Sequence, residues 1–193
     1  RRPGITVFED VPLSELRAIM DWTPFFQAWE LSGSYPQILD DAVVGAQARE
    51  LLRDANAMLD QIETEGWLRA KAVVGIWPAN AVGDDVELYP SPAGAASAAT
   101  AALPVAAEAA PAAEVMRRLH FLRQQADKPP GRPDFCLADF IAPRESGVRD
   151  WIGAFAVTAG LGIDAHVARF EAAHDDYSSI LLKALADRLA EAL

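Results

Sequence analysis

With 193 residues, 51% of them hydrophobic, and a formal charge of −11, the chain has the apolar content for a core of its own and lacks the clustered Lys and Arg that phosphate recognition demands, which argues against nucleic acid. A single cysteine, Cys136, leaves no internal disulfide or multi-thiolate site, and His120, His166 and His174 are scattered, so no metal is expected. No apolar run reaches membrane-spanning length and the Arg1-Arg2-Pro3-Gly4 start leads into no signal-type segment, so no membrane is implied and the chain reads as cytoplasmic. In chain order, Leu13 to Met20 reads as a short helix. Pro24 to Leu31 reads as a second, closed by Gly33. Tyr35-Pro36 breaks the pattern, and from Val43 to Glu65 the apolar positions Leu51, Leu52, Ala55, Met58, Leu59 and Ile62 fall at helical spacing up to Gly66, which predicts one long amphipathic helix.

Strands are expected next. Ala72 to Trp77 is β-branched and aromatic, Pro78 to Asp84 is turn-rich, and Val86 to Tyr89 alternates, so the two runs are expected to pair. Val115 to Leu122 fits a strand or a helix by periodicity. Trp151 to Thr158 is nearly all apolar and reads as a central strand buried on both faces. Asp164 to Ala173 and Asp176 to Ala192 read as helices, the second with Leu182, Leu185, Leu189 and Leu193 on one side. Helices at both ends around hairpin-connected strands give an α+β class, a twisted and mostly antiparallel sheet flanked by α-helices. Residues 90–114 stand apart: PSPAGAASAATAALPVAAEAAPAAE is almost wholly Ala, Ser, Pro and Gly, too poor in large apolar side chains to offset ordering entropy, and is expected to be a mobile insertion at a hairpin.

Few residues invite chemistry. Asp84-Asp85 follows Gly83 in a turn, where Asp side chains bond nearby backbone N–H groups. Asp175 or Asp176, after His174, reads as the cap of the last helix. Ser178 and Ser179 lack a nucleophile-elbow setting, and Gly160 to Gly162 reads as a strand-to-helix connection rather than a phosphate loop. Cys136, between Phe135 and Leu137, reads as buried and inert. The densest feature is the run Asp21 to Glu30, with Trp22, Phe25, Phe26 and Trp29 following the Asp21 carboxylate. From spacing, it is foremost a helix capped by Asp21 or Thr23, with Pro24 in its first turn and the aromatics in the core. The other reading is a pocket wall with a fixed negative charge for a cationic group.

Seven segments carry a resemblance: DWTPFFQAWELSGSYPQILDD (Asp21 to Asp41), VVGAQARELLRDANAML (Val43 to Leu59), VVGIWPANAVGDDVELY (Val73 to Tyr89), LHFLRQQ (Leu119 to Gln125), FCLADFIAP (Phe135 to Pro143), DWIGAFAVTAG (Asp150 to Gly160) and HDDYSSILLKALADRLAEA (His174 to Ala192). In this order, from about Val11 to Leu193, the chain resembles the reactivation (activation) domain of cobalamin-dependent methionine synthase. The resemblance implies a strand at Val115 to Leu122. It implies a single activation-type domain over 1–193 that lacks the family's C-terminal Arg-x-x-x-Gly-Tyr-type segment, since the chain stops at Leu193.

The implied function is support of reductive methylation: cob(II)alamin on a neighbouring domain regains a methyl group from S-adenosylmethionine, with one electron from a flavodoxin-like donor. The implied residues are Asp21, for the ammonium group of S-adenosylmethionine, and Asp187, near the surface that meets the cobalamin-binding domain. The bland alternative for Asp187, an exposed helix charge spaced for Lys183, is the stronger reading. No catalytic residue and no metal is implied, since cofactor and methyl donor do the chemistry and the protein supplies placement. Whether the chain alone counts as an enzyme is left open. Without the missing segment, or a second chain supplying it, the ligand site is expected to be incomplete. A second function follows from that: a binding module that docks on a cobalamin-carrying protein without holding S-adenosylmethionine.

Overall fold

The structure, a computed structural model, describes residues 3–90 and 114–193. The order is β1 (Gly4–Val11), α1 (Leu13–Ile19), α2 (Thr23–Ala28), α3 (Gly45–Glu65), β2 (Arg69–Val82), β3 (Asp85–Leu88), β4 (Arg117–His120), β5 (Asp150–Leu161), α4 (Ile163–Ala172) and α5 (Asp176–Glu191), with short 3₁₀ turns at Gln37–Asp40, Leu137–Phe140 and Arg144–Ser146. The five strands share one sheet, in the order β1-β2-β3-β4 with β5 also paired to β2. The β2–β3 and β3–β4 ladders are antiparallel. The class is α+β, as the order of segments implies. The expected mobile insertion lies, apart from its end residues, outside the described residues.

Two compact units emerge, one of Val7–Val73 with Ala156–Leu193, the other of Arg1–Thr6 with Val74–Phe155. The first is the helical unit. Its core is built by α2 (Phe25, Phe26), α3 (Leu51, Ala55, Met58, Leu59, Ile62) and α5 (Leu181, Leu182, Leu185, Leu189), joined by Ile38 and Trp67. Helical spacing puts each of these sets on one stripe, and burying that stripe is what makes helices of 6 to 21 residues stable in water. Asp41 Oδ1 accepts from Val43 N and Val44 N at 2.8 and 2.9 Å ahead of α3, and Gly66, with φ 67° and ψ 40°, ends it in the left-handed conformation that glycine adopts without cost. Asp175 caps α5 by accepting from Ser178 N at 3.0 Å. Gly162 connects β5 to α4 with φ 103°.

The second unit has its own small core of Ala79, Ala81, Val86, Leu88, Cys136 and Ala138. Val82↔Asp85 closes β2–β3 as a hairpin whose two loop residues are Gly83, at φ 62°, and Asp84. Cys136 is buried as expected. The buried amide of Asn80 donates from Nδ2 to the carbonyls of Ala142 and Val148 at 2.9 and 2.8 Å, tying two loop positions to β2.

Several boundaries differ from the sequence reading. Gly4–Val11 forms a strand ahead of the first helix, although Ile5, Thr6, Val7 and Phe8 carried a β-branched and aromatic signal. Pro78 to Val82 continues β2 rather than forming the turn; Pro78 lacks a donor, but its carbonyl accepts from Tyr89 N at 2.9 Å, so a proline survives in the strand. Helix α2 stops at Ala28, because Glu30 takes φ 59° and Leu31 N bonds back to Phe26 O at 3.0 Å, ahead of Gly33. In β5, Gly153 to Ala156 are exposed and Phe155 is 75% exposed. The strand is therefore not buried on both faces: an apolar run records side-chain character, whereas burial depends on what packs over it.

Candidate functional site

The Asp21 run is folded by its aromatics. Phe25 and Phe26 are fully buried, with ring centroids 5.6 Å apart and edge to face. Trp22 packs its edge on Phe25 at 5.3 Å, and Trp29 lies 5.2 Å from the ring of Tyr177 on α5. Most of the run is thus core, as the spacing argued, and each ring buries large area in a fixed geometry. Asp21 itself is exposed. Its Oδ1 accepts from Thr23 N at 2.9 Å, an Asp side chain bonding the backbone two residues on. Among the described residues no hydrogen bond or ion pair reaches Oδ2, so the carboxylate is oriented by one oxygen and presents the other. Thr23 continues outward: its Oγ1 accepts from Tyr35 N at 3.1 Å, and the Tyr35 ring lies 6.3 Å from Trp22 and 6.2 Å from Phe26.

Asp187 sits on the outer side of α5, 72% exposed. Its expected partner, Lys183, instead reaches Glu171 on α4 at 3.5 Å, and Asp187 Oδ2 accepts from Arg188 Nη2 at 2.6 Å. Arg188 also binds Glu191 and is itself largely covered, so it is fixed by packing in a way that Lys183 is not.

Two acidic positions carry more structure than the turn reading gave them. Asp84 and Asp139 grip the Arg123 guanidinium at 2.6 and 2.7 Å. The Arg123 hydrogen bond, helped by Cys136 N–H, holds the Asp139 carboxyl down at about 2, since both donors favour the charged form. Asp85 Oδ1 lies 2.9 Å from His120 Nδ1 across the β3–β4 ladder. Sequence reasoning missed Glu87 altogether. At 1% exposed it accepts from Arg118 Nη2 at 2.6 Å, Arg144 Nη1 at 2.8 Å and the Tyr89 hydroxyl at 3.2 Å, a buried charge neutralised from several sides. The signal available was alternation: Val86-Glu87-Leu88 puts Glu87 on the face opposite its neighbours, which reads as solvent until the arginines are placed.

A shallow concavity of about 330 Å³ lies in the helical unit between strands, lined by Val7, Glu9, Lys71, Val73, Val157 and Thr158 among others. Glu9 and Lys71 form an ion pair there, which lowers the Glu9 carboxyl. Neither Asp21 nor Asp187 lines it. It has one internally neutralised pair on otherwise apolar walls, so the chemistry favours the Asp21 carboxylate as the ligand-binding candidate. Among the described residues no group of three or more His, Cys, Asp or Glu side chains is placed to hold a metal ion, and no helix is long and apolar enough to cross a membrane.

Comparison with known proteins bears on this arrangement. Residues 12–193 match the family model described as "Vitamin B12 dependent methionine synthase, activation domain". The chain is also similar to a solved structure, "Crystal Structure of the MetH Reactivation Domain bound to AdoHcy", at 47% identity and a TM-score of 0.84. The match covers 100% of this chain and 53% of that one, so the chain spans about half the length of the protein it matches. A family model met over nearly every residue, and a fold shared at that identity, lead to one conclusion: the chain belongs to the activation-domain family of vitamin B12-dependent methionine synthases.

Proposed function

We propose that this chain presents S-adenosylmethionine to a cobalamin carried by a neighbouring domain, supporting reductive methylation of cob(II)alamin, with the Asp21 carboxylate holding the ammonium group of the methyl donor. The observation that carries this reading is the half-engaged carboxylate: Oδ1 is fixed by Thr23 N, the residue is exposed, and among the described residues no hydrogen bond or ion pair engages Oδ2. An ammonium group fits such an acceptor through a charge-assisted hydrogen bond, and pre-orientation by the backbone spares the ligand the entropy of fixing it. The AdoHcy-bound relative supports the ligand class, because AdoHcy is the same molecule without the sulfonium methyl.

S-adenosylmethionine held at Asp21 would supply the methyl group and leave as a thioether, and the cobalamin of the neighbouring domain, given one electron by a separate donor, would accept it. Residues of the chain bind and orient. The electron comes, on this reading, from a flavodoxin-like protein. Asp187 is a contact for the cobalamin domain, supported by its exposure on α5 and by Arg188, which fixes the carboxylate.

Titration calorimetry with S-adenosylmethionine on the chain and on Asp21→Asn tests the site. Asparagine keeps the acceptor for Thr23 N and removes the charge. Loss of a charge-assisted bond is expected to weaken binding roughly 10- to 100-fold. Tight binding indifferent to the substitution overturns the Asp21 assignment. Binding that is absent while the chain still alters the absorption of a cob(II)alamin-bearing domain favours the docking module without the methyl donor.

A further inference from the structure

Tyr35, whose ring packs on Trp22 and Phe26 of the Asp21 run, is 38% exposed. Two independent features hold it. Its ring packs against Trp22 at 6.3 Å and stacks on Phe26 at 6.2 Å with planes 19° apart, and Phe26 is fully buried, so the platform beneath is rigid. Its backbone N–H donates to Thr23 Oγ1, and Thr23 N donates to Asp21 Oδ1. One threonine therefore fixes both the carboxylate and the aromatic residue. Gly33 keeps the approach of this segment possible: a Cβ there would meet Ile38 side-chain atoms at 3.0 and 3.1 Å.

We propose that Tyr35 is the aromatic wall of the Asp21 site and makes it prefer a methylsulfonium cation over the neutral thioether left after methyl transfer. The inference rests on the Asp21 reading above. Both S-adenosylmethionine and S-adenosylhomocysteine carry an α-ammonium group, so a carboxylate alone cannot tell donor from product. A tyrosine face attracts a cation through its ring quadrupole and has no such attraction for an uncharged sulfur. Binding energy would thereby fall at the moment the methyl group leaves, and the product would be released more readily than the donor.

Saturation-transfer NMR titrations of the whole chain with S-adenosylmethionine and with S-adenosylhomocysteine at millimolar concentration detect even weak complexes. They are run on the unsubstituted chain, Asp21→Asn, Tyr35→Phe and Tyr35→Leu. The unsubstituted chain is expected to favour the sulfonium by about two- to fivefold, the range of an exposed cation–π contact. Tyr35→Phe keeps the ring and the preference; Tyr35→Leu removes the preference while leaving thioether binding within about twofold. Asp21→Asn weakens both ligands alike. An unchanged sulfonium-to-thioether ratio in Tyr35→Leu, with binding still lost in Asp21→Asn, overturns the role of Tyr35 and leaves the Asp21 site standing. Absence of transfer to either molecule on the unsubstituted chain overturns both.

Discussion

Gly162→Ala and Gly66→Ala form a pair that separates backbone strain from steric conflict. Both glycines have positive φ, 103° and 67°. A Cβ on Gly66 meets nothing within 4 Å, whereas one on Gly162 would stand 2.6 Å from the carbonyl oxygen of Trp67. Placing an L side chain in the left-handed region costs about 1–2 kcal/mol, and this applies to both. At Gly162 the Trp67 carbonyl must also move by most of an ångström. That carbonyl belongs to a residue 5% exposed in the core, whose ring stacks on His166 at 4.5 Å and lies under the Arg169 guanidinium at 4.6 Å. Forcing atoms into such packing costs about 1–3 kcal/mol more. Gly162→Ala is therefore expected to lose about 2–5 kcal/mol, a large share of the ~5–15 kcal/mol that holds a domain folded, and to lower Tm by roughly 4–20 °C. Gly66→Ala is expected to lose only the first part, about 1–2 kcal/mol. Urea unfolding followed by circular dichroism, with the slope m compared as well as the midpoint, measures both. Losses equal within about 0.5 kcal/mol would refute the steric argument, since only the Trp67 carbonyl distinguishes the two sites.

Other outcomes follow from the charges. Because Arg123 and Cys136 N–H hold the Asp139 carboxyl at about 2, below its ordinary 3.8, its stabilising contribution is complete above the ordinary value and is lost as pH falls toward 2; Asp139→Asn should flatten the acid limb of a stability profile in that window, and an unaltered limb would discount the pair. Tyr177 is pushed up to about 12, first by burial and then by donating to Asp54 Oδ2 at 3.0 Å. Its folded form keeps the proton, so that contribution is present below pH 10 and disappears as pH rises through about 12. Tyrosinate absorbance should show a late-titrating step that Tyr177→Phe abolishes. Asp175→Ala should lower Tm by removing the α5 cap, and Asp175→Ser should restore most of the loss; equal melting of the two variants would mean that the cap is not what stabilises the turn.

The helices were legible because their physics is local. Leu51, Ala55, Met58, Leu59 and Ile62 repeat at the period of one face, and Gly66 marks the end by its own conformational freedom. Capping at Asp175 was equally readable, since the acceptor and its donor lie three residues apart. What escaped depends on partners distant in sequence. The β-signal of Gly4–Val11 is short, and its strand exists only by pairing with β2 across the first three helices. Pro78 looked like a turn because the sequence shows its missing donor but not the Tyr89 N–H that its carbonyl receives. At the candidate site, spacing put the helix cap at Asp21 or Thr23, whereas Trp22 holds that position without a side-chain bond and Thr23 begins the helix; Tyr35 read only as a break before Pro36. The bond joining it to Thr23 spans 12 positions, beyond the reach of periodicity. Asp187 paired with its neighbour Arg188 rather than with Lys183 at helical spacing, because burial of the arginine, not spacing, decides which cation is held still.

Glu87 also bears on the order of assembly. Its two guanidinium partners lie 31 and 57 residues further along the chain, so the buried carboxylate is compensated only after two long loops have closed. Until then, a carboxylate inside the β3 ladder is an uncompensated charge that resists desiccation. Loop closure of this length is entropically unfavourable and is not rewarded until the arginines arrive. The second unit is therefore expected to consolidate late, with Glu87 acting as a latch that slows unfolding rather than as a nucleus that speeds folding.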